Sequence, residues 1–141
     1  MKQTIYLPCC IVLNNDVQEV AQLNTFVGDV CATVHLDDAT AINVGLAVEE
    51  AVVNVMNYAY PQGTEGRIQV EASVSAGKLT FEISDDGKPF DPTAADDPDI
   101  SLSTQQRPIG GLGIYLIRRY MDAMSYKRVD GKNVLTLSKN L

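Results

Sequence analysis

Positive charge is scarce in this sequence: 11 Lys and Arg stand against 18 Asp and Glu, a formal net charge of −7. Neutralising phosphates requires clustered cations, so this balance argues against a nucleic-acid partner and against an anionic membrane surface. No apolar run approaches the roughly 20 residues that span a bilayer. The opening Met1-Lys2-Gln3-Thr4 lacks the apolar stretch and cleavage site of a signal peptide. Cysteine is sparse as well. Cys9, Cys10 and Cys31 make an odd count without a C-x-x-C. Adjacent strand residues point to opposite faces, so Cys9 and Cys10 are not expected to hold a metal or form a redox pair. The expectation is a bacterial-type cytoplasmic protein whose cysteines are reduced, small, buried apolar residues. The only histidine is His35. No serine sits in a nucleophile-elbow setting, which excludes a hydrolytic triad and leaves a helix-end histidine.

At 141 residues, with 45% hydrophobic and 21% charged residues, the chain fits one globular domain, 1–141, without repeats or an interdomain linker. Ile5, Leu7, Ile11 and Leu13 suggest one or two short strands around Pro8. Val17, Val20, Ala21, Val27, Val30, Cys31 and Val34 follow helical spacing within Asn15–His35. Asp37 or Asp38 can cap a second helix running to about Tyr60, where Pro61 and Gly63 stop it. Ile68, Val70, Ala72, Val74 and then Leu79, Phe81, Ile83 alternate as two strands. The turn Ala76-Gly77-Lys78 makes them an antiparallel hairpin. Gly87–Pro108 lacks periodicity and carries four prolines; a loop of this length is usually functional or mobile. A third helix starts near Gly113, and strands over Met124–Val129 and Asn133–Ser138 close the chain. This order predicts an α+β fold, with helices on one face of a mostly antiparallel sheet.

The second helix is almost wholly apolar and has no Lys or Arg between Thr40 and Tyr60. Asn43, Glu50, Asn54 and Asn57 fall within an arc of roughly 60° on it. Solvated helix faces favour Lys, Glu, Gln and Arg, whereas Asn is a poor helix former. The stripe reads either as a line facing water or as a ligand face, and these residue types suit the second. Asparagine carbonyls suit a hard cation such as magnesium, and a carboxylate one turn away can deprotonate a hydroxyl. Glu49 lies off the arc, as an ordinary surface charge.

Asp85-Asp86-Gly87 ends the strand Leu79–Ser84. Asp85 can accept a hydrogen bond from the exocyclic amine of adenine, with Gly87 letting the base approach the backbone. Gly110-Gly111-Leu112-Gly113 precedes the helix from Ile114. Free backbone N–H groups and the helix dipole favour a phosphate there. The loop lacks the Lys-Ser/Thr ending of a Walker A motif and does not follow the first strand of a βαβ unit.

In that order, these segments resemble the ATPase superfamily that includes gyrase and the histidine kinases, and most of all its bacterial anti-sigma-factor serine/threonine kinases. The carriers are Glu50 to Tyr60, Asp85 to Pro92 and Gly110 to Ile117. The resemblance implies a two-layer α/β sandwich that binds ATP and Mg2+. It also implies transfer of the γ-phosphate to a serine of an anti-anti-sigma partner of the sulfate-transporter-like domain class, together with sequestration of a sigma factor. Asn54 resembles the magnesium-ligating asparagine and Glu50 the general base. Asp85 and Gly87 resemble the adenine-binding pair, and Gly110, Gly111, Leu112, Gly113 and Ile114 the second glycine box. The loop over about 88–109 would act as a lid. Asn57 and Tyr58 complete the expected nucleotide contacts, Tyr58 standing where several relatives have histidine. Pro89 replaces a glycine of the general pattern, and Thr136 is offset from the threonine that relatives place near the C-terminus. Relatives often pair, which makes a homodimer an expectation. His35 is a poor phosphoacceptor site, so a complete histidine kinase is not encoded. The alternative reading is an ATP-binding protein-interaction module without kinase activity.

Overall fold

The computed structural model describes residues 9–61, 63–94 and 111–141. Five strands form one antiparallel sheet in the order β1-β2-β3-β5-β4: β1 Cys10–Asn14, β2 Arg67–Ser75, β3 Lys78–Asp85, β4 Ala123–Val129 and β5 Lys132–Asn140. Both tight hairpins turn on two residues with positive φ, Ala76–Gly77 (54° and 75°) and Asp130–Gly131 (51° and 77°). That pairing matches the right-handed strand twist. Period-two patterning puts Ile68, Val70 and Ala72 of β2, Leu79, Phe81 and Ile83 of β3, and Leu135 and Leu137 of β5 in the core.

Three helices complete the core: α1 Val20–Thr33, α2 Asp38–Tyr58 and α3 Gly111–Tyr120. Leu23, Phe26, Val27, Val30 and Cys31 of α1 are buried. Val44, Ala47, Val48, Ala51, Val52, Val55 and Met56 of α2 join them, as do Ile114 and Ile117 of α3. Each large aliphatic side chain fully removed from water contributes roughly 1.5–3 kcal/mol. α2 lies between α1 and α3 and packs on both. The expected α+β two-layer architecture is the observed one.

Several local expectations shift. The helix expected over Asn15–His35 divides into a 3-10 turn, Val17–Glu19, and then α1. Asp16 tightens that start by accepting the Gln18 N–H at 2.9 Å. Leu23 and Phe26 are inner positions, whereas Val17 and Ala21 are exposed. Asp37 caps α2, accepting from the Thr40 N–H at 3.1 Å. α2 stops at Tyr58 rather than Tyr60, and the Ala59 carbonyl beyond it accepts the Lys88 N–H at 2.8 Å. α3 begins at Gly111, two residues before the expected start. His35 ends α1 in the left-handed region, with φ 60°, and serves as a backbone stop. Cys31 is buried as expected. Cys9 and Cys10 are not, because they lie on the exposed edge of the sheet at β1.

Among the described residues α2 is one helix of 21 residues whose length and mean hydropathy, 1.3, would allow a membrane crossing. That helix is not an unbroken apolar run, since Asn43, Glu49, Glu50, Asn54 and Asn57 interrupt it, and its inner face forms the core described above. The strand expected around Ile5 and Leu7 lies outside the described residues. So do Gly110 and most of the loop over 88–109, of which 88–94 is described, with a 3-10 turn at Pro92–Ala94.

Candidate nucleotide site

The C-terminal half of α2 meets the end of β3 through a backbone contact. Lys88 donates its N–H to Ala59 O at 2.8 Å, which brings the Asp-Asp-Gly turn against the helix end. A Cβ on Gly87 would overlap the Ala59 carbonyl oxygen and come within 2.9 Å of the Ala59 Cβ. Glycine is thus required here by close packing of protein backbone, where the sequence suggested room for a base.

Asp85 is 3% exposed. Its Oδ1 accepts the Gly87 N–H at 2.9 Å and an Asn133 Nδ2 hydrogen at 2.9 Å, while Oδ2 is buried and has no partner. Burial pushes the Asp85 carboxyl above its ordinary value, against the hydrogen bonds from Asn133 and Gly87 and the charge of Arg128. Arg128 donates to Gly87 O at 2.8 Å, which braces the same turn from β4. Asn54, on α2, is 6% exposed, and its Nδ2 is likewise buried without a partner. A buried unpaired polar group costs about 1–3 kcal/mol and calls for an explanation.

The other expected residues are placed unevenly. Glu50, one turn before Asn54, is half-buried. Its carboxyl is raised above the usual glutamate range by burial first and by the Glu49 carboxylate second. Tyr58 is half-buried with its ring 5.5 Å from that of Phe90, tilted by 40°. Ile114 is buried at 3% exposure. Gly111, Leu112 and Gly113 form the first turn of α3, not a loop before it, and the opening N–H groups of a helix have no intrahelical acceptor. Asn57 is exposed and lines a separate cleft of about 510 Å3 with Asn15, Asp16 and Tyr60. A larger cavity, about 690 Å3, lies between Asn14–Glu19, Gly63–Arg67 and Asp86, and neither Asn54 nor Asp85 lines it. Thr136 pairs with Glu82 and Ser125, away from Asp85.

Two supporting groups escaped the sequence reading. Asn133 stands opposite Asp85 in the β3–β5 ladder and is 3% exposed. Its Nδ2 also donates to Lys88 O at 2.8 Å, and its Oδ1 accepts from the Phe90 N–H at 3.1 Å and the Tyr126 hydroxyl at 2.6 Å. The only available signal was an asparagine at the start of a strand, where that residue is disfavoured. Tyr60 is the second group. Its hydroxyl donates to Asp86 Oδ1 at 2.7 Å, lies 3.0 Å from Arg67 O and accepts the Asp86 N–H at 3.2 Å.

Among the described residues no three His, Cys, Asp or Glu side chains cluster as a metal cage. A donor set of one carboxamide, completed by phosphate oxygens and water, still fits magnesium, which keeps much of its hydration and avoids all-protein cages.

A sequence profile of the histidine kinase-like ATPase domain matches residues 13–139. The chain belongs to this family. Among curated proteins of the family's kind, serine/threonine-protein kinase BtrW of Bordetella bronchiseptica is 34% identical over 95 residues, 67% of each chain. Serine-protein kinase RsbW of Listeria monocytogenes is 31% identical over 94 residues, 64% of this chain and 60% of that one. Solved structures share the fold. The RsbU and RsbW domains of a Mycobacterium tuberculosis protein superpose with a TM-score of 0.64 at 14% identity, covering 94% of this chain and 32% of the other. The histidine kinase domain of a blue-light-activated kinase from Erythrobacter litoralis gives 0.58 at 17% identity, covering 84% and 61%. The SiaB-SiaC complex from Pseudomonas aeruginosa gives 0.53 at 14% identity, covering 93% and 89%.

Proposed function

We propose that this member of the ATPase family binds ATP with magnesium and transfers the γ-phosphate to a serine of an anti-anti-sigma partner of the sulfate-transporter-like class, as a cytoplasmic anti-sigma regulator. The observation that carries the reading is the pair of buried, unpartnered polar atoms, Asn54 Nδ2 and Asp85 Oδ2, on elements joined through Ala59 and Lys88. Both groups carry a desolvation penalty that a polar ligand would relieve.

In this reading Asp85 is the base-recognition group. Asn133 and the Gly87 N–H fix its Oδ1, which leaves Oδ2 to accept from the adenine amine. Tyr58 borders the nucleotide, whereas Asn57, which lines a separate cleft, drops out of the site. The N–H groups at the start of α3, Gly111 to Ile114, would bind the phosphates, and Gly110, outside the described residues, is proposed to join them. Asn54 would present its carboxamide oxygen to magnesium, whose charge would offset that of the phosphates, and its unpartnered Nδ2 would donate to a phosphate oxygen. Glu50 accepts the proton of the incoming serine hydroxyl. Its raised affinity for protons brings it closer to the operating pH, where a general base is most effective.

The test is incubation with γ-labelled ATP, magnesium and the candidate partner. Label on a partner serine, lost in Glu50→Ala while calorimetry still reports ATP binding, supports the kinase. Binding without any label favours the interaction module, ATP binding unaffected by Asn54→Ala and Asp85→Ala removes this assignment of the site, and no ATP binding by the parent removes the nucleotide reading.

A further inference from the structure

The outer surface of the helix layer has its own recess. Between α1 and α2 runs a groove of about 350 Å3, with Val27 at its floor and the glycines Gly28 and Gly45 on its two sides. A Cβ built on either glycine meets nothing within 4 Å, so the space is open and a side chain from outside could enter it. On the rim Ile42 is 63% exposed and Leu46 39% exposed. They lie one helical turn apart, and Asp38, Ile42, Leu46 and Glu49 share one face of α2. Two aliphatic anchors are thus flanked by a carboxylate at each end, with Asp29 exposed beside Gly28 on α1.

Among the described residues of α1 and α2, the helices that form this groove, the charge has one sign. From Gln3 through Gly66 there is no Lys or Arg, while the same stretch carries eight Asp and Glu. Glu49 has one neutral partner, Asn24 Nδ2 at 3.2 Å.

We infer that the α1–α2 groove docks a basic amphipathic segment of a partner protein, whose aliphatic side chains enter between Ile42, Leu46 and the two glycines while its cations meet Asp38 and Glu49. Charge selects this occupant. A second copy related by two-fold symmetry would set the same acidic patch against itself, which like-charge repulsion disfavours. Anionic lipid and nucleic acid are disfavoured for the same reason. A cationic helix with aliphatic residues at turn spacing satisfies both the apolar recess and its rim. The inference is independent of phosphotransfer, since none of Asn54, Asp85 or Glu50 lines the groove.

The test uses a synthetic peptide of about 18 residues, long enough for helix formation, with Leu at successive turn positions and Lys elsewhere. One control replaces Lys by Glu, and a second replaces Leu by Ser. Calorimetry should detect one site for the Leu/Lys peptide, with the Gly28 and Gly45 amide resonances shifting on titration. The double variant Ile42→Ser, Leu46→Ser, both at exposed positions, should weaken it about tenfold or more, and Glu49→Gln should reduce its salt dependence. Equal binding of the Leu-free control, undiminished binding by the double variant, or shifts confined to other surfaces would overturn the proposal. So would self-association of the free chain that the double variant abolishes, since the groove would then belong to a second copy.

Discussion

Asn133 Nδ2 lies 2.9 Å from Asp85 Oδ1 across the β3–β5 ladder, and this bond orders the candidate base pocket. Every hydrogen-bonding site of the Asn133 amide is engaged, with Asp85 and Lys88 O on the nitrogen and Phe90 N and Tyr126 Oη on the oxygen. Asn133→Ala should therefore destabilise the fold by roughly 2–4 kcal/mol in urea denaturation, because several buried partners lose their bonds together. ATP affinity should fall with it, as Asp85 gains freedom to rotate.

Asp85→Asn separates folding from binding. The native Asp85 carboxyl holds its proton to higher pH than the ordinary aspartate value of about 4. Between those two values the folded chain binds more protons than the unfolded one, so this group's contribution to stability is lost as pH rises through the window. The variant should show a higher Tm than the parent at neutral pH and no such advantage at pH 3, while ATP binding is abolished. A parent at least as stable as the variant at pH 7 would contradict the assignment.

Gly87→Ala should destabilise by about 1–3 kcal/mol, because the added methyl meets the Ala59 backbone and not a yielding side chain. Thermal unfolding measures this directly, and the same substitution at Gly45, where nothing lies within 4 Å, is the control.

Glu50→Gln should lower phosphotransfer by about 100-fold or more while preserving nucleotide affinity. In the parent the acidic limb of the pH–rate profile should lie above the ordinary glutamate value, since burial and the neighbouring Glu49 both favour the protonated form. Glu49→Gln should move that limb toward lower pH.

Burial and the bond to Asp86 push the Tyr60 phenol above the ordinary tyrosine range. The Tyr60 phenol should therefore resist spectrophotometric titration until the protein unfolds. Tyr60→Phe should remove that late step. Because the folded state keeps this proton longer than the unfolded state, stability falls as pH rises above about 10, and the variant should lose less there.

The hairpins and the buried faces of the strands were legible in the chain, because a period of two and residues suited to positive φ are local signals. Asn54 and Asp85 were legible because a carboxamide in an apolar helix and a carboxylate ending an apolar strand conflict with their surroundings. The Asn133 role was hidden, since it depends on the register between β3 and β5, which lie 46 residues apart between Asp85 and Lys132 and share no turn. The reason for Gly87 was hidden similarly. The sequence indicates a small residue but not that Ala59 is what approaches it. Cys9 and Cys10 misled because average burial says nothing about which strand occupies the edge of a sheet.

The fit of Gly87 against Ala59 has a mechanical consequence. A helix end and the turn after a strand share a backbone hydrogen bond there, with no room for a methyl group between them. A ligand that reached both Asn54 and Asp85 would therefore bind across this contact, on two elements that meet without an intervening side chain.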